Sequence, residues 1–262
     1  MRIVVLIKQV PDTTDVKIDP VTNTLKREGV VSIINPFDMY AIEEALRVKE
    51  KMGEGEVVVI TMGPPQAEVA LREAISMGCD RAILLSDRKF AGSDTWATSY
   101  TLSRAIEKLG DCSIVFCGKQ ASDGDTAQVG PGISTHLNIP QVTYVKKIEK
   151  IDKNSAVVER MTEEGYDVVE TPIPALFTVV KEINEPRLPS LKGKMKAKKA
   201  EIVVWKAEDL GCEPDKIGLD GSPTRVVKIF TPPPRGGGRV LSGEPEDVAK
   251  ELAELLKKDI VG

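Results

Sequence analysis

Between Arg2 and Leu137, short β-branched runs alternate with amphipathic segments of helical period, and no other feature narrows the possible folds so far. A run that is apolar at every position, without a period of two, needs cover on both faces. That requirement points to a parallel sheet sandwiched between helices. Arg2 to Ile7 opens the pattern. After a polar loop rich in Pro and Asp, Phe37 to Met52 places Phe37, Tyr40, Ala41, Ala45 and Val48 at helical spacing. Glu43, Glu44, Arg47 and Lys51 are assigned to the opposite, solvent side. Val57 to Thr61 reads as the second strand, ended by Gly63-Pro64-Pro65 and followed by a helix from Gln66 to Met77. Ala82 to Leu85, Thr95 to Leu109, Ser113 to Cys117 and Thr126 to Leu137 continue the alternation, the last helix carrying Gly-Pro-Gly near its start. The predicted class is α/β: a Rossmann-like parallel sheet with helices on both faces, entered at the carboxyl ends of its strands.

From Gln141 the character changes. Val142 to Ile148, Ser155 to Arg160, Tyr166 to Glu170 and Ala175 to Val180 read as short strands between charged turns, an antiparallel addition to the sheet. Beyond Asn184 the periodicity lapses into a lysine-rich stretch, an isolated apolar strand (Glu201 to Trp205) and a Pro/Gly segment from Pro232 to Gly238. A terminal amphipathic helix follows, with Glu244 to Asp247 at its start and Leu252, Leu255 and Leu256 on one face. With so little core of its own, this tail is expected to pack on a partner. The expected division is a nucleotide-binding α/β domain over 1–185, then a docking loop and extended C-terminal arm over 186–262.

Composition removes several function classes. A net charge of -4 gives no electrostatic footprint for nucleic acid, and no apolar run is long enough to insert in a bilayer. Met1 to Val10 reads as a first strand rather than a signal peptide. The four cysteines are scattered (Cys79, Cys112, Cys117, Cys212) and there is one histidine, His136, so metal ligation and a Ser-His-Asp hydrolase are both poor matches. Reduced thiols in a cytoplasmic protein are the expectation. Chemistry must then come from a bound cofactor.

The sharpest motif is Gly118-Lys119-Gln120-Ala121-Ser122-Asp123-Gly124-Asp125-Thr126-Ala127-Gln128-Val129-Gly130-Pro131. It follows a buried strand and opens a helix, where unpaired N–H groups and the helix dipole suit a phosphate. Thr126 adds a hydroxyl, and the N–H groups of Ala127, Gln128 and Val129 are the candidate donors. Asp123 and Asp125 are read as helix caps or acceptors from ribose hydroxyls. On pattern alone a capped helix after a glycine turn explains the segment equally well, since it is neither a dinucleotide fingerprint nor a P-loop. Two more loops reach the same sheet edge: Asn35-Pro36-Phe37-Asp38, and Met62-Gly63-Pro64. With the backbone around Leu6 they frame a crevice suited to an adenine ring.

Those segments, together with Lys8-Gln9-Val10-Pro11-Asp12, Glu43-Glu44-Ala45, Asn184-Glu185-Pro186-Arg187 and Met195-Lys196-Ala197-Lys198-Lys199, resemble electron transfer flavoprotein beta subunits in order and spacing. The similarity runs over nearly the whole chain. The family's signature stretch corresponds to Val158 through Thr178, departing from the usual pattern at Asp167 and Phe177 with the character of both positions kept. The resemblance implies a nucleotide held by Leu6, Asn35 to Asp38, Met62 and the Gly118 to Val129 loop. In ordinary members that nucleotide is AMP. The Asp-Gly-Asp-Thr-Ala-Gln-Val-Gly-Pro loop is closer to an anaerobic branch that holds FAD there and takes electrons from NADH. It implies a heterodimer with an alpha subunit carrying another FAD. Electrons then pass by bifurcation to a flavin dehydrogenase of acyl-CoA or hydroxyacid type and to ferredoxin or flavodoxin. It also implies that the segment from Pro189 docks on that dehydrogenase through Leu191. By composition alone, Lys192, Lys194, Lys196, Lys198 and Lys199 are an ordinary solvated face. A self-sufficient nucleotide-binding sensor of the same fold is the alternative of a different class; it would not need the long irregular tail.

Overall fold

The computed structural model describes residues 1–12, 32–227, 238 and 240–261. Contacts divide the chain into two units, Met1–Val227 and a shorter one from 228 on. In the first unit β1 (Arg2–Leu6) is followed by a small antiparallel ribbon, β2 (Gln9–Pro11) with β3 (Ser32–Ile34). Then come α1 (Pro36–Met52), β4 (Glu56–Met62), α2 (Glu68–Met77), β5 (Arg81–Leu85), α3 (Thr95–Leu109) and β6 (Cys112–Gly118). α4 (Val129–Leu137) leads to β7 (Gln141–Ile151), β8 (Ser155–Met161), β9 (Tyr166–Pro172) and β10 (Ala175–Val179). α5 (Leu191–Lys199) and β11 (Ile202–Trp205) follow.

The result is a nine-stranded, mostly parallel sheet in the order β11-β5-β4-β1-β6-β10-β7-β8-β9. The predicted α/β class is what is found. Successive residues of β1 serve opposite faces. Ile3 and Val5 join the layer containing α1 and α2, while Val4 and Leu6 join the layer with Tyr100, Ala105 and Ile106 of α3 and Ile133 of α4. Each layer seals one face, which is why these strands are apolar without alternation.

Three expectations need correction. Ala175 to Val180 is not part of an antiparallel addition: β10 inserts between β6 and β7, parallel to both, with all five residues buried. The antiparallel wing is β7-β8-β9 alone. Glu201 to Trp205 is not isolated, since β11 pairs in parallel with β5, Ile202 opposite Ala82 through Trp205 opposite Leu85. Beyond it Ala207, Leu210 and Ile217 are buried in the α3/α4 layer. The chain after Asn184 therefore contributes core to its own sheet as far as Ile217. Finally, Glu43 and Glu44 do not line a solvent face; they are 3% and 8% exposed.

In the second unit, α6 (Pro245–Val261) carries Glu246 and Asp247 in its first turn, where acidic groups complement the helix dipole. Leu252 and Leu256 are exposed. The Pro232 to Gly238 segment lies outside the described residues except for Gly238.

Candidate functional site

Strand order reverses at β1. The chain runs outward through β4 and β5, then crosses back to β6 on the other side of β1. At such a switch point the loops leaving neighbouring strands diverge and leave a crevice at the carboxyl edge. The loop after β1 starts at Ile7, and the loop after β6 runs from Lys119 to Gln128. Most sequence-predicted site residues meet here.

Asp38 joins the two loops. Its carboxylate, 5% exposed, accepts hydrogen bonds from the N–H of Lys8 (2.8 Å) and of Gly118 (3.1 Å). Burial pushes its pKa up to about 7, against the lowering effect of these donors and of Asn35. Asn35, almost fully buried, does not cap α1 with its side chain. Its Nδ2 donates to the Gln120 carbonyl at 2.8 Å, and its Oδ1 accepts from the Ser122 N–H at 3.0 Å. Its own N–H donates to the Lys8 carbonyl at 2.8 Å. Pro36 starts the helix, where its missing N–H costs nothing. One turn of α1 thus holds both loops. Gly118 is required by this closeness: a Cβ there would lie 2.5 Å from Asp38 Oδ1 and 2.6 Å from Phe37 Cβ.

The segment expected to form the first turn of a helix from Thr126 is still loop, and α4 starts at Val129 with Gln128 as its cap. Asp125 and Ala127 sit in the left-handed region (φ 55° and 54°), while Gln128 is right-handed (φ -112°, ψ -4°). A left-handed residue followed by a right-handed one turns successive N–H groups to one side, the arrangement that cradles anions. Among the described residues, none accepts from the N–H groups of Ala127, Gln128 or Val129. Neither acidic side chain caps α4, contrary to the first of the two readings given to them. Asp123 pairs with Lys8 (Nζ to Oδ1 2.5 Å), and Asp125 accepts from the Gln120 amide. Thr126 Oγ1 accepts from Thr95 Oγ1 at 3.3 Å, so its hydroxyl proton stays available. Ala121 anchors the turn by accepting from the N–H groups of Gly124 and Asp125.

Leu6 ends β1 between Ile60 and Cys117, and Met62 ends β4 beside Leu85. The Lys119 ammonium lies 5.1 Å from the Phe37 ring centroid and 5.6 Å from that of Tyr144. Tyr144 holds a φ of 58°, rare for an aromatic residue, with its N–H donating to Thr178 Oγ1 at 3.0 Å. Sequence alone gives Lys8, Thr95 and Tyr144 no place in the site. Only Lys8 carried a signal, as a cation directly after a strand that ends in the crevice. Leu191, the predicted docking residue, lies on α5 and is 78% exposed.

All four thiols are held above their ordinary value. Burial pushes Cys79 and Cys112 up to about 12 and Cys212 to about 11, and raises Cys117 further. Among the described residues no cluster of His, Cys, Asp and Glu could hold a metal ion, and no helix is long and apolar enough to cross a membrane.

Sheet order places the chain in the class of α/β proteins built on a large, mostly parallel sheet flanked by helices, with a topological switch point at β1. Comparison with known proteins is more specific. Residues 22–210 match the family described as electron transfer flavoprotein domain. The chain is 55% identical over 257 residues to an electron transfer flavoprotein subunit beta of Thermoanaerobacterium thermosaccharolyticum, covering 98% of each chain. It is 51% identical to the caffeyl-CoA reductase-Etf complex subunit CarD of Acetobacterium woodii (98% of each chain) and 47% identical to a protein FixA of Azorhizobium caulinodans (98% of this chain, 95% of that one). The chain belongs to the electron transfer flavoprotein family, among its beta subunits, which act in electron transfer paired with an alpha subunit.

Proposed function

We propose that the crevice formed by Leu6, Asn35 to Asp38, Met62 and Gly118 to Val129 holds FAD. With its alpha subunit, the chain then takes electrons from NADH and divides them between an acyl-CoA-type dehydrogenase and ferredoxin or flavodoxin. The observation that carries this reading is the run of N–H groups at Ala127, Gln128 and Val129 that find no acceptor among the described residues, with the Lys8 ammonium held beside the loop. An anionic diphosphate supplies the acceptors those donors lack. Room for more than a monophosphate is suggested at Gly124, where an added Cβ would meet only Lys8 Nζ, at 3.9 Å. The name of the Acetobacterium relative places that protein in a complex with a CoA-ester reductase, which favours the same acceptor class here.

Bound flavin would supply hydride and single-electron chemistry. The chain's own residues bind and orient. Asn35 and Asp38 fix the loop, its amides and Lys8 offset phosphate charge, and Leu191 among Lys192, Lys194 and Lys198 offers an apolar contact in a cationic rim to the dehydrogenase.

The cofactor count tests it. The desalted heterodimer, denatured and assayed, should release two flavins, and NADH should bleach the beta-site flavin. One flavin plus AMP would establish the AMP reading instead. Gly124→Asp introduces a carboxylate that competes for Lys8 and repels a diphosphate, an effect on the order of 1–3 kcal/mol. Affinity for the beta-site flavin should fall by about one to two powers of ten, with the alpha-subunit flavin retained.

A further inference from the structure

Two buried acids on α1 have no place in the nucleotide site. Glu43 accepts from Arg187 at both oxygens, Nε to Oε2 at 2.7 Å and Nη2 to Oε1 at 3.2 Å. The Arg187 backbone N–H adds a third bond to Oε2 at 3.1 Å. The same guanidinium reaches Glu50 at 2.5 and 3.1 Å. Asn184 Nδ2 donates to Glu44 Oε2 and to the Tyr40 carbonyl, each at 3.0 Å. A carboxylate as buried as Glu43 persists only where charge and hydrogen bonds compensate it, so these contacts tie residues 184–187 firmly to α1.

The other end of the segment is tied to α2. Arg72 donates to the carbonyls of Ala197 and Ala200, and Lys196 Nζ to the Cys79 carbonyl at 3.1 Å. Backbones touch where Gly193 crosses the end of α2: a Cβ there would sit 2.0 Å from the Ser76 carbonyl oxygen. Leu188 and Leu191, between the two attachments, and Met195, just past the Gly193 crossing, are 89%, 78% and 59% exposed.

We propose that residues 184–200 form an arch pinned at both ends, and that Arg187 is a positioning residue that holds Leu188, Leu191 and Met195 in a preformed docking surface for an acidic-rimmed apolar pocket. The arch rests on the docking role proposed above for Leu191. The segment buries Ala197 in the core while its larger apolar side chains, Leu188, Leu191 and Met195, face outward, so the order the attachments impose also serves a surface. A preformed surface binds without first ordering its loop.

Hydrogen exchange and steady-state kinetics on the intact heterodimer, with a short-chain acyl-CoA dehydrogenase as acceptor, test the arch. Arg187→Gln should speed exchange in residues 186–195 by about tenfold and raise KM for the dehydrogenase by about tenfold. kcat at saturation and nucleotide content should stay at wild-type values. Arg187→Lys, which lacks the planar fork, should fall between. Leu191→Ala should raise KM with exchange unchanged. Wild-type exchange in Arg187→Gln overturns the arch. So does a wild-type KM in that variant when Leu191→Ala raises it, and in both cases the docking reading stands. A wild-type KM in Leu191→Ala overturns the docking reading and the arch's role with it.

Discussion

At Asp38 burial and hydrogen bonding pull in opposite directions. Loss of water raises its pKa to about 7, while the N–H groups of Lys8 and Gly118 and the Asn35 side chain favour the charged form. Burial prevails. Between about pH 4 and pH 7 the unfolded chain has released this proton and the folded chain still holds it. Its contribution to stability is therefore full below pH 4, declines as pH rises to 7, and is flat above. Asp38→Asn should abolish that slope. It should also cost about 1–3 kcal/mol, because an amide NH2 would face one of the two backbone N–H groups. Urea midpoints of the heterodimer at pH 5 and pH 8 are the check; the same pH difference in variant and wild type would clear Asp38 of the effect. Gly118→Ala drives a Cβ into Asp38 and Phe37. It should cost about 1–3 kcal/mol through overpacking and lower nucleotide content with it.

Among the elements, α3 shows how one cap serves two purposes. Asp94 accepts from the N–H groups of Trp96 and Ala97 at 2.9 and 3.1 Å, and also from the N–H and hydroxyl of Thr224, both at 2.9 Å. Burial alone would raise its pKa, but these donors outweigh it and hold the carboxyl below its ordinary range. The stability it contributes is present above about pH 4 and is lost on further acidification. Asp94→Ala should cost about 1–2 kcal/mol and free Thr224, which among the described residues only the Asp94 side chain ties to α3. Thermal unfolding, with proteolysis near Thr224, measures both effects; an unchanged cleavage rate would mean that the tether is not what holds that segment. β10 teaches a different lesson. Ala175–Val179 is buried at every position and lacks the polar alternation of β7, so its sequence already carried the mark of an interior parallel strand. Its place next to the charged hairpins obscured that mark.

For the whole molecule, charge is distributed against its average. A net -4 coexists with the lysines of α5, around the exposed Leu188, Leu191 and Met195. Steered association across such a rim weakens as salt shortens the Debye length from about 30 Å to about 8 Å. The second-order rate of electron transfer to an acidic dehydrogenase should fall about tenfold over that range. Lys192→Glu with Lys194→Glu should lower the low-salt rate and flatten the dependence. Stopped-flow traces at graded ionic strength would show it, and a salt-independent wild-type rate would remove the cationic rim from the docking account.

What the sequence determined by itself was local. A strand apolar at every position and a helix with one apolar stripe are properties of neighbouring residues, so β1, β4, β5, β6 and α1 to α3 were legible to within a residue or two. The Gly118 to Val129 loop stood out for the same reason. Tertiary structure decided which segments meet. β10 lies beside β6 and β11 beside β5 because pairing between strands far apart in the chain depends on which sheet edge is open, and neither segment encodes that alone. Glu43 and Glu44 read as solvent-facing because an isolated helix would expose them. Glu43 has a local partner in Arg47 one turn on, but Arg187 and Asn184, more than a hundred residues later, return to cover both acids and add the remaining hydrogen bonds. Asp123 read as a cap because Lys8, its partner across the sheet edge, is equally distant. Burying a charge requires a partner, and the partner's arrival is settled only when the chain closes on itself.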